Sequence, residues 1–206
     1  MSRPQLVVMA RWPAPGRCKR RLALGVGARR AAAIQARLTA HTLAVAKLGW
    51  QPLGGEVVLA VSGLGSRAAR HWAGSLGADR SVLQGAGSLG MRMGRQLRRA
   101  QCEGSRRIVL IGTDLPQLGA ADLEAAFQAL ETQELVLGPS EDGGYWLIGL
   151  RRAQPLLFAG DQAAIGWGSA RVLEQTLAIA QRQGLEVALL PRRRDLDRAA
   201  DLEPWR

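Results

Sequence analysis

Five cations stand close together near the start of the chain. Arg11, Arg17, Lys19, Arg20 and Arg21 all fall in the stretch Arg11-Trp12-Pro13-Ala14-Pro15-Gly16-Arg17-Cys18-Lys19-Arg20-Arg21-Leu22. Prolines lower the entropy cost of holding one loop shape. Gly16 permits a positive φ or a close approach of backbone to ligand. On such a frame guanidinium groups can grip phosphate oxygens bidentately, with lysine as a compact point charge. The same composition also suits a solvated basic turn. What favours a di- or triphosphate site is its place directly after an apolar run, residues 5–10. The loop is not a Walker A motif, because GxxxxGK[ST] is absent. Cys18 lies among cations that could lower a thiol pKa, but no histidine stands near it in sequence, which argues against a catalytic thiol.

Carboxylates follow later apolar runs. Gly112-Thr113-Asp114-Leu115-Pro116 ends the clearest one, and Pro116 restricts Leu115 to extended geometry. An aspartate there, with phosphate oxygens and water, is a common way to hold Mg²⁺; the competing role for Asp114 is a helix or turn cap. Gly138-Pro139-Ser140-Glu141-Asp142-Gly143-Gly144-Tyr145 is the second acidic segment. Asp142 could accept sugar hydroxyls or ligate metal, and Gly143 and Gly144 allow close backbone approach. Asp142-Gly143 is equally a hairpin-turn pair. In Asp195-Leu196-Asp197, Asp197 either completes a metal site or caps a short helix. His41 and His71 sit in helical patterns and face core or solvent. No GxSxG occurs, so a hydrolytic triad is not expected. Gly85-Ala86-Gly87-Ser88-Leu89-Gly90 spells GxGxxG, but it does not follow the first strand, and position 105 is Ser where a dinucleotide fold needs an acid. It reads as a chance match.

The elements that must position these residues alternate. Strands are predicted over 5–10, 56–62, 81–84, 107–112, 134–138, 145–150 and 185–190. Helices are predicted over 28–48, 66–76, 91–102, 121–132 and 169–183, with a short one at the C-terminus, and residues 11–21 are read as loop. Repeated strand–helix units give an α/β class, a three-layer α/β/α sandwich with a mostly parallel sheet. The connection before Tyr145 is too short for a helical crossover, which makes that strand antiparallel. Ligands in such sheets bind beyond the carboxyl ends of the strands, where the basic loop and the aspartates fall.

The chain has 206 residues, 47% of them hydrophobic, which fits one domain over 1–206 and excludes general disorder. Two cysteines exclude a disulfide scaffold and a cysteine-rich zinc site. No apolar run is long enough for a transmembrane helix, and the first apolar stretch is too short for a signal peptide, so a cytoplasmic location is expected. Twenty-eight Lys+Arg against 17 Asp+Glu leave a net charge of +11. That suits nucleic acid, an anionic membrane or a phosphorylated small molecule. Aromatics are only 4% and no RNA- or DNA-binding signature occurs, which argues against a nucleic-acid-binding protein.

Taken together the motifs resemble the small bacterial GT-A-like transferases described as glycosyltransferase A family proteins, or radical-SAM/selenodomain-associated transferase 1, of DUF2064 type, members of which have been linked to arsenosugar biosynthesis. The family pattern AKxPxPGxxKTRL, QxxxxLGxR, GTDxP, LGPxxDGGYxLIGL, a tryptophan segment and DxDTxxDL is met here by residues 10–22, 84–92, 112–116, 137–150, 167–169 and 195–202. The resemblance implies a GT-A-like (Rossmann-like) fold of the nucleotide-diphospho-sugar transferase superfamily. It implies a nucleotide held by Arg11, Gly16, Arg17, Lys19, Arg21 and Gln84, and Mg²⁺ or Mn²⁺ held by Asp114 with Asp197 as second ligand. Asp142, Gly143, Gly144, Tyr145 and Trp167 would contact sugar or acceptor, with Asp142 as a candidate general base. The chain departs from the pattern at Arg11, Arg20 and Arg198, where the family has lysine, threonine and threonine, and at Gly168-Ser169-Ala170, where the tryptophan segment lacks its usual Thr-Pro-like end. The implied activity is metal-dependent glycosyl transfer from a nucleotide-diphosphate sugar to a small-molecule acceptor. The alternative is nucleotidyl transfer from an NTP to a phosphorylated acceptor, with pyrophosphate released.

Overall fold

The computed structural model describes residues 3–50, 54–154, 157–158 and 165–205. Along the chain run β1 (Gln5–Arg11), α1 (Arg20–Val26), α2 (Ala28–Trp50), β2 (Glu56–Ser62), α3 (Ser66–Ser75), β3 (Arg80–Leu83), α4 (Leu89–Cys102), β4 (Ile108–Ile111), α5 (Ala120–Thr132), β5 (Leu135–Pro139), β6 (Tyr145–Leu150), α6 (Val172–Arg182) and β7 (Val187–Leu189), with a C-terminal 3-10 helix at Ala199–Trp205. The expected elements are present, their ends shifted by one to three residues. The exception is α1, because the predicted loop over 11–21 gives way to helix at Arg20.

The strands form one seven-stranded sheet in the order β3-β2-β1-β4-β6-β5-β7. β1 pairs in parallel with β2 and β4, β2 with β3, and β5 with β7. β6 is antiparallel to both β4 and β5, as the short connection before it requires. Successive side chains of a strand point to opposite faces, and here both faces are covered. Leu6, Val8 and Ala10 of β1 join Leu43, Trp72 and Phe127 of α2, α3 and α5. Val7 joins Leu97 and Ile179 of α4 and α6. This two-sided burial explains why the strands read as continuous apolar runs. Pro139 is accommodated where the β5–β6 register shifts between Gly138 and Pro139, a place where a missing ladder donor costs little. A smaller apolar cluster joins α1 to α2 and the C-terminal segment through Leu22, Leu38 and Leu196. No described helix is long and apolar enough to cross a membrane.

The strand order runs away from β1 in one direction through β2 and β3, and in the other through β4. The carboxyl ends of β1 and β4 therefore flank a topological switch point, where open α/β sheets form their ligand crevice.

Candidate active site

Two cavities open at that point. The first, about 490 Å³, is lined by Met9, Arg11, Arg17, Cys18, Lys19, Arg20, Arg21, Gln35, Thr113, Asp114 and Asp197. The second, about 300 Å³, is more apolar and includes Met93, Tyr145, Trp167, Asp142, Asp195 and again Asp114. Asp114 is common to both, so the predicted basic loop and the predicted acidic segments meet at one carboxylate.

The basic loop is built as its sequence requires. Gly16 has φ +75°. The Arg11 guanidinium donates through Nη1 to the Arg17 carbonyl at 3.1 Å, folding the loop onto its own start. Lys19 takes a left-handed conformation, φ 45° and ψ 50°, immediately before α1. Its side chain is 3% exposed and its ammonium lies 2.7 Å from Asp114 Oδ1. The ammonium also donates to the Leu196 carbonyl, and Leu196 N donates to the Asp114 carbonyl at 2.8 Å. Lys19 thus ties the first loop, the β4 exit and the C-terminal segment together, while Arg17, Arg20 and Arg21 carry the exposed charge. Arg21 pairs with Asp197 at 3.0 Å, both side chains being largely exposed. Thr113, beside Asp114, is buried and accepts from Gln35 Nε2 of α2 at 2.8 Å.

Cys18 is 5% exposed, and its Sγ lies 3.4 Å from the Ala14 carbonyl. Burial pushes its thiol pKa up despite the neighbouring cations, the opposite of an activated nucleophile.

Gln84 lies apart from the first cavity. It is 4% exposed, and Nε2 donates to the carbonyls of Ala10 at 3.0 Å and Ala60 at 2.9 Å. Its amide therefore joins the ends of β1 and β2. The GxGxxG segment is likewise absorbed by packing. Gly85 has φ +75° against the Arg95 guanidinium, and a side chain at Gly90 would run into the Trp167 indole.

On the apolar side, Asp142 Oδ1 accepts from Ser140 Oγ at 2.5 Å and from Gly144 N at 3.0 Å. The carboxylate thus braces its own turn, which is the hairpin role that Asp142-Gly143 also suggested. Gly143, φ +88°, approaches the Ala170 carbonyl so closely that no side chain would fit, so this glycine serves the contact with the start of α6. Tyr145 and Trp167 line the cavity wall. Trp167 stacks on Phe158 with centroids 6.3 Å apart and planes 8° from parallel. Burial pushes the Tyr145 pKa well up, so its hydroxyl stays neutral.

Sequence reasoning passed over Asp195 in favour of Asp197. The structure sets Asp195 in the second cavity with Asp114 and Asp142. The segment that carries it is fixed by a parallel bridge between Ser140 and Arg193 and by the Arg193–Asp122 ion pair at 2.6 Å. Burial, then repulsion from Asp114 and Asp142, raises the Asp195 pKa to about 7, partly offset by Lys19. A buried aspartate whose ionisation two other carboxylates oppose marks a place where positive charge would be welcome. The donor set is all oxygen, which suits Mg²⁺ or Mn²⁺. Among the described residues no three acidic, histidine or cysteine side chains converge into a ready-made cage. That fits a metal held by one or two carboxylates and completed by substrate phosphate oxygens and water.

The family model for an uncharacterized protein conserved in bacteria, DUF2064, matches residues 45–168. No curated protein matches the chain. A crystal structure from Desulfovibrio desulfuricans G20, provisionally assigned as a nucleotide-diphospho-sugar transferase, is 30% identical over 98% of this chain and 85% of that one, with a TM-score of 0.83. A cytidylyltransferase from Leptospira borgpetersenii serovar Hardjo-bovis is 14% identical over 100% of this chain and 85% of that one, with a TM-score of 0.61. The glucosyl-3-phosphoglycerate synthase of Mycobacterium tuberculosis, in complex with Mn²⁺, UDP and glucosyl-3-phosphoglycerate, is 14% identical over 94% of this chain and 70% of that one, with a TM-score of 0.54. The last two likenesses show a shared GT-A/nucleotidyltransferase α/β fold.

Proposed function

We propose that this chain, which belongs to the DUF2064 family of bacterial proteins, is a divalent-metal-dependent transferase that moves a sugar from a nucleotide-diphosphate sugar to a small-molecule acceptor. The observation that carries this is the division of labour at Asp114, with a cation-lined cavity on one side and a more apolar, carboxylate- and aromatic-lined cavity on the other. The provisional assignment of the 30%-identical structure and the Mn²⁺ and UDP bound by the mycobacterial synthase support it.

On this reading the diphosphate occupies the larger cavity. Arg17, Arg20 and Arg21 stand where negative charge grows on the leaving nucleoside diphosphate, and preorganised charge there lowers the barrier. Asp114, with Asp195 and Asp197 at either side, would hold Mg²⁺ or Mn²⁺, which supplies Lewis-acid neutralisation of the phosphates. Lys19 keeps Asp114 fixed by occupying Oδ1. The smaller cavity takes the acceptor. The Trp167 indole, backed by Phe158, offers an aromatic wall to a sugar or similar ring. Asp142 contacts the acceptor and is the candidate general base. Its Oδ1 is spent on the turn, so that role falls to Oδ2.

Nucleotidyl transfer in the same site is the second reading, supported by the fold shared with the cytidylyltransferase. A panel of UDP-, GDP-, ADP- and TDP-sugars and the matching NTPs, each with and without Mn²⁺ or Mg²⁺, separates the two by thermal stabilisation. Metal-dependent stabilisation by a nucleotide sugar is expected. A preference for NTP with pyrophosphate release would replace the first reading with the second, and silence toward every nucleotide would overturn both.

A further inference from the structure

The site has a second cationic feature that the first-loop motif does not include. On α4, Arg92 and Arg95 turn back toward the end of the sheet. Arg92 donates through Nη1 to Gln84 Oε1 at 3.2 Å and through Nε to the Ser88 carbonyl at 3.4 Å. Arg95 donates to the Gln84 and Ala86 carbonyls, wrapping the glycine loop between β3 and α4. Every partner is a neutral oxygen. Among the described residues neither arginine, nor Arg11, forms an ion pair with a carboxylate, although the chain pairs Lys19, Arg21, Arg80, Arg99, Arg107, Arg171, Arg193 and Arg194 in that way.

The position of Arg92 is set by Gln84. One buried amide binds the last carbonyl before Arg11, that of Ala10, and the Arg92 guanidinium together. Arg92 is thereby held at the β1 exit, beside the residue that begins the basic loop and lines the larger cavity. Burial and the nearby charges of Arg11 and Arg95 all disfavour its ionised form. A half-buried guanidinium set beside two other guanidiniums, with no counter-ion, is costly unless an anion arrives to share its remaining N–H groups.

We propose that Arg92, positioned by Gln84 against Arg11, forms a phosphate-binding subsite that extends the cationic cavity past the end of β1. This rests on the reading of that cavity as a diphosphate site, and adds one phosphate group to what the protein recognises. That group comes either from the terminal phosphate of a triphosphate chain or from a separate phosphorylated substrate. Gln84 is a positioning residue here, acting through Arg92.

Inorganic probes test this without knowledge of base or sugar. Binding of pyrophosphate and tripolyphosphate is measured by calorimetry for the wild type, Arg92→Gln and Arg98→Gln, the last an exposed arginine on the same helix. Inorganic phosphate is then titrated into protein saturated with pyrophosphate. If the subsite takes the end of a chain, tripolyphosphate binds about tenfold more tightly than pyrophosphate, and Arg92→Gln removes the difference. If it takes a separate group, phosphate binds on top of pyrophosphate, and Arg92→Gln abolishes that second event. In either case Arg98→Gln changes affinity less than twofold, and the Arg92→Gln loss persists at high salt, as a contact should and a diffuse field should not. Arg92→Gln protein that melts like the wild type and binds all three probes equally well overturns the subsite, as does a wild type with neither preference. An Arg92-dependent phosphate event in a protein that ignores every nucleotide keeps the subsite and rejects the transferase. Nucleotide binding indifferent to Arg92→Gln does the reverse.

Discussion

The two ends of the sheet use the same residue types in opposite ways. At the amino end, Gln5 of β1, Glu56 of β2, Arg80 of β3, and Arg99 and Glu103 of α4 and its end form a closed network. Gln5 Nε2 donates to Glu56 at 2.6 Å, Arg80 spans Glu56 and Glu103, and Arg99 reaches Glu103 at 2.7 Å and Gln5 Oε1 at 2.9 Å. At the carboxyl end another buried glutamine, Gln84, also anchors an arginine, but every partner is a neutral oxygen. One end satisfies its charges internally. The other leaves Arg92 and Arg95 with no counter-ion among the described residues and lines one cavity with Asp114, Asp142 and Asp195. On the proposed function, the paired charge of the amino end holds structure, and the unpaired cations of the carboxyl end meet the phosphates.

The largest expected effect comes from the one residue where the two kinds of use meet. Asp114 neutralises the buried Lys19 and also faces both cavities. Asp114→Asn should cut metal-dependent transfer about 100-fold or more and abolish stabilisation by Mn²⁺. It should also lower the melting temperature, because Lys19 is left buried with only the Leu196 carbonyl. Steady-state transfer assays and thermal melts with and without Mn²⁺ check this; metal dependence that survives the change removes Asp114 from the metal site.

The amino end should answer the reverse way. Arg80→Gln strips Glu56 and Glu103 of their shared cation and should cost on the order of 1–3 kcal/mol in urea unfolding, with nucleotide affinity within twofold of wild type. Arg17→Gln, in the exposed part of the basic loop, should leave unfolding unchanged and weaken nucleotide binding about tenfold. Equal stability losses in both variants would erase the contrast between the two ends.

How much of this the sequence discloses follows from what each element must satisfy. The strands were legible because both of their faces are buried, which makes runs such as Leu6–Ala10 apolar throughout. Helix α1 was not, because its seven residues follow a proline- and glycine-bearing loop and begin after a left-handed lysine with no side-chain cap. The basic loop and Asp114 could be placed by the rule that ligands sit beyond strand ends. Arg92 ends the family string over residues 84–92, but that string does not say what its guanidinium meets. Amphipathic spacing tells which side of α4 avoids the core, but not that a neighbouring loop lies against that side. Asp195 and Asp197 are two apart in an extended segment. Which one enters the second cavity depends on the bridge to Ser140 and on Arg21 reaching Asp197, neither of which is visible in one dimension.

The effect confined to one pH window should be a dependence of stability on Asp195. Its pKa is about 7 in the folded chain and about 3.9 when unfolded. Below pH 4 the group is protonated in both states and contributes nothing to the slope. Between these values only the folded form holds the proton, so stability declines as pH rises and levels off above 7. Asp195→Asn removes the titrating group. Variant and wild type should melt alike near pH 4, and the variant should melt a few degrees higher at pH 8. Mn²⁺ should close the pH 8 gap by stabilising only the wild type, since a cation held by Asp114 and Asp195 relieves the repulsion between them. A wild type whose melting temperature is flat from pH 5 to 8, or a variant as responsive to Mn²⁺, would mean that the three carboxylates do not act together, and the carboxyl end would then differ from the amino end only in its arginines.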